Sequence, residues 1–275
     1  MLALNLIFGA VVGLSLGLTG GGGSIFAVPL LIYGLGVRPR EVVGVSLAAV
    51  GVTALVGAVG RLRGCQVEIK TGLLFAAAGM LGTPAGAWLG GRIPESVLLL
   101  LFAVLMVGVA VRMWRNASRH PEEARAVRAT HLSATEAEGP ACRRDPSGKL
   151  AMTSRCVAVL AAAGLVTGVL SGLFGVGGGF VIVPALVLTT NLDIHRAVAT
   201  SLLVIALVSA AGVASYLAAG RELPWESTGL FVAGGIAGMG LGSLVARRLS
   251  GPGLQKVFAV AMLVVAVFIV TKSIT

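Results

Sequence analysis

The sequence predicts an all-α polytopic membrane protein: two homologous helical repeats, about 8–10 membrane helices in all, and a glycine-rich break after the first helix of each repeat. Three observations lead there. Of the 275 residues, 56% are hydrophobic and only 12% charged, against about 25% charged in a soluble domain. The apolar residues are gathered into nearly uncharged runs of about 14–23 residues, the length that a hydrocarbon layer ~30 Å thick requires of a helix. The chain also carries 40 glycines, which in this setting signal close helix packing and broken helices.

Taken in order, the first run (2–18) has no positively charged leader segment and no A-x-A-like cleavage site, so it reads as a retained helix. Runs at 24–37, 42–60, 71–91 and 96–112 complete an N-terminal membrane repeat, 1–112. Residues 113–155 are polar, contain Pro121, Pro140 and Pro146, and mix basic residues with Glu122, Glu123, Glu136, Glu138 and Asp145. No apolar periodicity runs through them, so they are expected to form a flexible cytoplasmic linker. The C-terminal repeat, 156–275, holds runs at 156–173, 178–190, 197–219, 228–246 and 254–271. Runs 24–37 and 178–190 are short for full spans and are open to a re-entrant reading.

The two sets of runs are read as copies. GLTGGGGSIFAVPLL (17–31) lies over GLFGVGGGFVIVPAL (172–186), matching Gly17/Gly172, Gly20/Gly175, Gly22/Gly177, Gly23/Gly178 and Pro29/Pro184. The same offset pairs Ser46 with Ser201 and Gly57 with Gly212; one residue more pairs Gly79/Gly235, Gly82/Gly238 and Gly86/Gly242. Duplicated halves are frequent in transporters. With the linker held inside, five crossings per half keep Arg61, Arg63, Lys70, Arg196, Arg247, Arg248 and Lys256 on its side, whereas four move the last four of these outside. Basic residues favour the inside, so the inverted arrangement is preferred.

The formal charge of +10 sits in loops between apolar runs, and no basic stripe is interleaved with aromatics, so nucleic acid is not an expected partner. Cys65, Cys142 and Cys156 form no CxxC pair and suggest neither a disulfide framework nor a metal site. Nothing calls for a cofactor.

The glycine clusters are the strongest local signal. Gly20, Gly22, Gly23 and Ser24 in one repeat, with Gly175, Gly177, Gly178 and Gly179 in the other, weaken the helix by roughly 1 kcal/mol per glycine relative to alanine. A break at depth frees backbone groups that lipid cannot satisfy, so it must be buried or line a wet cavity. An apolar segment follows each cluster directly. The freed N–H groups therefore stand at a helix N-terminus, which favours an anion. A close helix crossing that requires small residues is the alternative for either cluster; two equivalent clusters favour a binding site.

The second signal is an absence: no Asp, Glu, Lys, Arg or His lies well inside an apolar run. Cation carriers and proton pumps usually keep such groups. The polar tools near the breaks are the hydroxyls of Thr19, Ser24, Ser46, Thr167, Ser171, Thr200 and Ser201. Each is explained singly by a bond to its own helix; Ser46 and Ser201 are preferred because they correspond between repeats, and Thr200 adjoins Ser201. Arg38, Arg40, Arg61, Arg63 and Arg196, at helix ends, suit either attraction of an anion or interfacial anchoring. Gly17–Ser24 mimics a phosphate loop but has Gly23 where the lysine belongs. Gly13–Gly17 has the G-x-S-x-G form, yet the histidines, His120, His131 and His195, lie in the linker or a loop. No enzyme is expected.

The doubled G-x-G-G-G-x-x-x-x-P pattern, Gly20–Ser24 to Pro29 and Gly175–Gly179 to Pro184, resembles the sulfite exporter TauE/SafE family, as does Ala199–Leu202 with its weaker counterpart Val45–Leu47. The resemblance covers both repeats. It implies a permease of the inner (plasma) membrane for sulfite, organosulfonates or organic acids, with the glycine motifs, Ser46 and Thr200-Ser201 as the matching site. Ser24 facing Gly179, Val45 facing Thr200, and the charged linker depart from the pattern. The expected partners are a small anionic solute and the bilayer, with room for a homo-oligomer. Access is expected to alternate as one half rocks against the other; a non-transporting scaffold or assembly subunit and a passive anion channel are the rival readings.

Overall fold

The computed structural model describes residues 2–21, 23–37, 39–62, 67–119, 153–175, 178–190, 192, 194–246 and isolated positions between 259 and 271. Among the described residues the fold is helical throughout: α1 (Leu2–Thr19), α2 (Gly23–Pro29), α3 (Pro39–Leu62), α4 (Ile69–Gly90), α5 (Glu95–Arg119), α6 (Ser154–Phe174), α7 (Gly179–Thr190), α8 (Ile194–Ala218) and α9 (Trp225–Ala246). Within these residues, α1, α3, α4, α6, α8 and α9 are long and apolar enough to cross a membrane. The expected runs all reappear except 254–271, most of which lies outside the described residues, as does most of the linker.

Two boundaries differ instructively from expectation. Helix α5 continues beyond 112 to Arg119, because the residues after 112 are competent helix formers even where hydropathy has fallen. Helix α2 ends at Pro29 and passes into a π-helical turn, Leu30–Gly34. Proline has no N–H to continue the ladder and crowds the carbonyl four residues back, which favours a widened turn. Cys156, buried at the start of α6, is disulfide-bonded, which sequence spacing did not suggest; Cys65 and Cys142 lie outside the described residues.

Glycine ridges set the packing. A Cβ at Gly9 would collide with the carbonyl of Phe231, one at Gly13 with that of Gly235, and one at Gly17 would lie 2.6 Å from Met239 O. Helices α1 and α9 therefore run parallel with their backbones in contact. The positions 155 residues on behave alike: Gly164 stands 2.5 Å from Phe75 O by the same measure, Gly168 against Gly79 and Gly172 against Thr83, so α6 runs parallel to α4. Such contacts replace the hydrophobic drive, which is absent between helices in lipid, by close van der Waals packing.

The remaining directions follow from the same contacts. Gly44 abuts Tyr216, Gly51 abuts Ser209 and Gly57 abuts Leu202, so α3 and α8 are antiparallel. Gly72 meets Thr200 and Gly79 meets Val208, which makes α4 parallel to α8; Gly235 meets Thr53 and Gly57 meets Met239, which makes α9 parallel to α3. Helices α1, α3 and α9 thus point one way, α4, α6 and α8 the other. Equivalent helices of the two sequence halves, α1 and α6, α3 and α8, α4 and α9, run in opposite directions.

Buried side chains fill the space between these layers, with Leu16, Ile25, Phe75, Phe102, Ile182, Leu186, Ile205 and Phe231 nearly inaccessible. Large apolar residues face outward, among them Leu81, Trp88, Leu241 and Leu244, as a lipid-facing surface requires. The ridges give a direct test. Gly13→Leu and Gly168→Leu should each destabilise the protein by about 1–3 kcal/mol or more through overpacking. Gly240→Leu, with nothing within 4 Å of its Cβ position, should be neutral. The midpoint of thermal unfolding in detergent is the measurement; equal midpoints for Gly13→Leu and Gly240→Leu would refute the backbone contact.

Candidate functional site

Helix α1 ends as its sequence requires. Gly20 adopts φ +74° and its N–H bonds to Leu16 O at 2.7 Å; Gly175, at the end of α6, adopts φ +67° and bonds to Ser171 O at 2.9 Å. These are left-handed helix stops that glycine takes without penalty. Neither position tolerates a side chain for a second reason: a Cβ at Gly20 would enter Val198, and one at Gly175 would lie 2.7 Å from Val43 Cα.

After each stop the chain turns back into the protein. A Cβ at Gly23 would meet Val12 and Leu16 of α1, and Gly34 abuts Phe8, so α2 and its π turn run back along α1. Gly178, with φ +65°, faces Ser171 and Thr167 O, each 3.1 Å from its Cβ position. Gly179 then opens α7 against Ile205, in the middle of α8. The two breaks touch: a Cβ on Gly21 would strike the Gly179 carbonyl, and one on Gly179 would stand 2.7 Å from Gly21 O. Both short helices therefore begin beside one another, level with the middle of α8. Gly22 and Gly177 lie outside the described residues.

The hydroxyls chosen from sequence gather here, in specific roles. Ser46, on α3, donates to the carbonyl of Gly175 in the opposite half's break. Ser201, on α8, donates to Gly20 O at 2.8 Å, with Val198 O at 2.9 Å. The two bonds join sequence-equivalent positions. Ser24 Oγ donates to Gly21 O at 2.8 Å, within its own break. Thr200 Oγ1 instead accepts the Glu68 N–H at 3.0 Å, outside the breaks. All four side chains are buried. A hydroxyl has one proton, so Ser24, Ser46 and Ser201 stabilise break carbonyls in this arrangement.

Arg61, whose place at a helix end suits either attraction of an anion or interfacial anchoring, donates from Nη2 to Gly17 O at 3.0 Å, where a cation suits the negative end of α1. Arg196 pairs with Glu68 at 3.4 Å, both partly exposed. Arg38 and Arg63, and the side chain of Arg40, lie outside the described residues. Nothing in the sequence identified the Gly17 carbonyl as a partner, because the contact spans 44 residues. Among the described residues the buried polar side chains are hydroxyls and Asn5, with no buried Asp, Glu, Lys, Arg or His and no cluster able to hold a metal ion.

Comparison with known proteins agrees with this architecture. The sequence profile described as sulfite exporter TauE/SafE matches residues 5–269. A "Probable membrane transporter protein" of Xylella fastidiosa (strain Temecula1 / ATCC 700964) is 36% identical over 270 residues, covering 96% of this chain and 93% of the relative. "Probable membrane transporter protein YunE" of Bacillus subtilis (strain 168) is 25% identical over 266 residues, 94% of this chain and 93% of its own length. In Methanocaldococcus jannaschii, "Probable membrane transporter protein MJ0441" is 28% identical over 228 residues, 81% of this chain and 74% of the relative. No solved structure matches the chain. With multiple membrane-spanning helices and a match over nearly its whole length, this chain belongs to the sulfite exporter TauE/SafE family of membrane transporters.

Proposed function

We propose that the protein is a secondary transporter of a small anion, sulfite or an organosulfonate or organic acid, working by alternating access across the cytoplasmic membrane. The supporting observation is the meeting of α2 and α7 at mid-depth, Gly21 against Gly179. Each helix start carries a partial positive charge of about half a unit and N–H groups without intrahelical acceptors. At this depth the field is weakly screened, so two such ends hold a negative charge far better than they would in water.

The surroundings suit the same ligand. A carboxylate would repel an anion, and among the described residues none is buried. Backbone donors from the breaks bearing Gly20, Gly22 and Gly23, and Gly175, Gly177, Gly178 and Gly179, are the proposed ligands. Ser24, Ser46 and Ser201 act behind them, fixing the carbonyls so that the N–H groups point into the site. The arrangement parallels discontinuous helices that present their N-termini to anionic groups.

Counterflow of labelled sulfite in proteoliposomes tests this reading. Trans-stimulated uptake, competed by sulfonates, is the expected result; flux without trans-stimulation indicates a channel, and no flux from folded protein favours a scaffold. Gly178→Leu should abolish transport while leaving membrane insertion intact, because φ +65° and the Thr167 carbonyl at 3.1 Å exclude the side chain. Unchanged transport in Gly178→Leu would overturn the site. Ser46→Ala and Ser201→Ala each strand a buried carbonyl and should lower stability by about 1–3 kcal/mol, read as a drop in unfolding midpoint.

A further inference from the structure

The hydroxyls around the breaks divide into engaged and free. Thr167 Oγ1 donates to Gly164 O at 2.9 Å, and Ser24, Ser46 and Ser201 are bonded as described. Ser171 is different. It is completely buried in the last turn of α6, and its Oγ has no hydrogen-bond partner. Elsewhere, hydroxyls on helices bond a carbonyl one turn back: Thr83 to Gly79, Thr190 to Leu186, Ser215 to Ala211. Ser171 forgoes that bond. Its Cβ lies 3.1 Å from the Cβ position of Gly178, which places Ser171 beside the residue preceding α7.

The free donors of α7 open at the same place. The N–H groups of Val181 and Ile182 close on Gly178 O, at 3.0 and 3.1 Å, which leaves those of Gly179 and Phe180 without an intrahelical acceptor. The first half lacks this combination. Leu16 stands at the position equivalent to Ser171 and Val12 at that of Thr167, both buried, while Ser24 replaces Gly179.

Building on the anion-transport reading above, we propose that the substrate binds asymmetrically, at the second break, where Ser171 Oγ–H and the first N–H groups of α7 donate to different oxygens of one anion. The site then takes an oxyanion with at least two oxygens on one centre, such as a sulfite or sulfonate group, in preference to a halide. A buried hydroxyl without a partner bears a desolvation penalty, which an arriving oxygen removes. Bonds of this charge-assisted kind are stronger than neutral ones. The other buried hydroxyl without a partner among the described residues, Ser209, lies against Gly51 between α3 and α8 and serves as the control.

The test combines labelled-sulfite counterflow with the thermal shift that sulfite induces in detergent. Ser171→Ala is expected to raise the KM for sulfite about 10-fold or more. Without sulfite its unfolding midpoint should equal or exceed that of the wild type, since a penalised hydroxyl is gone, and its sulfite-induced shift should shrink. Ser171→Cys, nearly isosteric but a weak donor, should follow the alanine variant. Ser209→Ala should keep the wild-type KM. Chloride should compete poorly where ethanesulfonate competes well. A wild-type KM in Ser171→Ala, or a lowered unliganded midpoint, overturns the assignment of Ser171 and leaves anion transport standing. Neither flux nor thermal shift from sulfite or ethanesulfonate in the wild type overturns both.

Discussion

A helix interrupted inside a membrane exposes carbonyl and N–H groups that lipid cannot bond, and the architecture answers that single constraint. Three carbonyls at the first interruption are matched from three directions: Gly17 O by Arg61, Gly20 O by Ser201, Gly21 O by Ser24. At the second, Ser46 reaches the Gly175 carbonyl from the opposite half. Without these donors each buried carbonyl would stand unpaired, at a penalty of about 1–3 kcal/mol apiece. The N–H groups are treated differently. Those at the helix starts lie beside one another, Gly21 against Gly179, and are the donors that the proposed anion site uses.

The glycine ridges follow from the same requirement. A break is shielded from lipid only if its neighbours approach closely, and α1 achieves this by bringing Gly9, Gly13 and Gly17 onto the backbone of α9. Helix α6 does so on α4 with Gly164, Gly168 and Gly172. Larger side chains would separate the pairs, and the interruptions would then lose their cover. Packing and site are therefore not independent features: Gly17 packs against Met239 through its missing side chain while its carbonyl binds Arg61.

Much of this was legible in the sequence because it is periodic or local. Spans followed from hydropathy, the helix stops from glycines in fixed register, and the pairing of Ser46 with Ser201 from the offset between halves. What stayed hidden depends on contacts across long separations. Arg61 reads equally as an interfacial anchor or as an attractor of anions until Gly17 O is found beside it. Thr200 looks like the twin of Ser201 in any motif, yet on a helix the adjacent side chain points about 100° away, and it meets the Glu68 N–H instead. Sequence placed Ser171 among several hydroxyls; only geometry distinguishes one that is engaged from one that is free.

The packing also changes which parts can move as units. Rocking of residues 1–112 against 156–275, the motion expected from sequence, would pull α1 from α9 and α4 from α6, where backbones meet without side chains between them. Those interfaces are the least able to slide. The closely packed bodies instead combine helices from both halves, α1 with α9 and α4 with α6, and the antiparallel pair α3 and α8 runs between them. Ser201 links α8 to the first break, and Ser46 links α3 to the second. Each central helix thus meets a break through one buried hydrogen bond and one close glycine contact, Gly20 against Val198 on α8 and Gly175 against Val43 on α3. Ser201 Oγ lies within reach of both Gly20 O and Val198 O, and Ser46 Oγ within reach of both Gly175 O and Val43 O. The tight ridges hold α1 to α9 and α4 to α6, and the serine ties hold α8 and α3 to the two breaks.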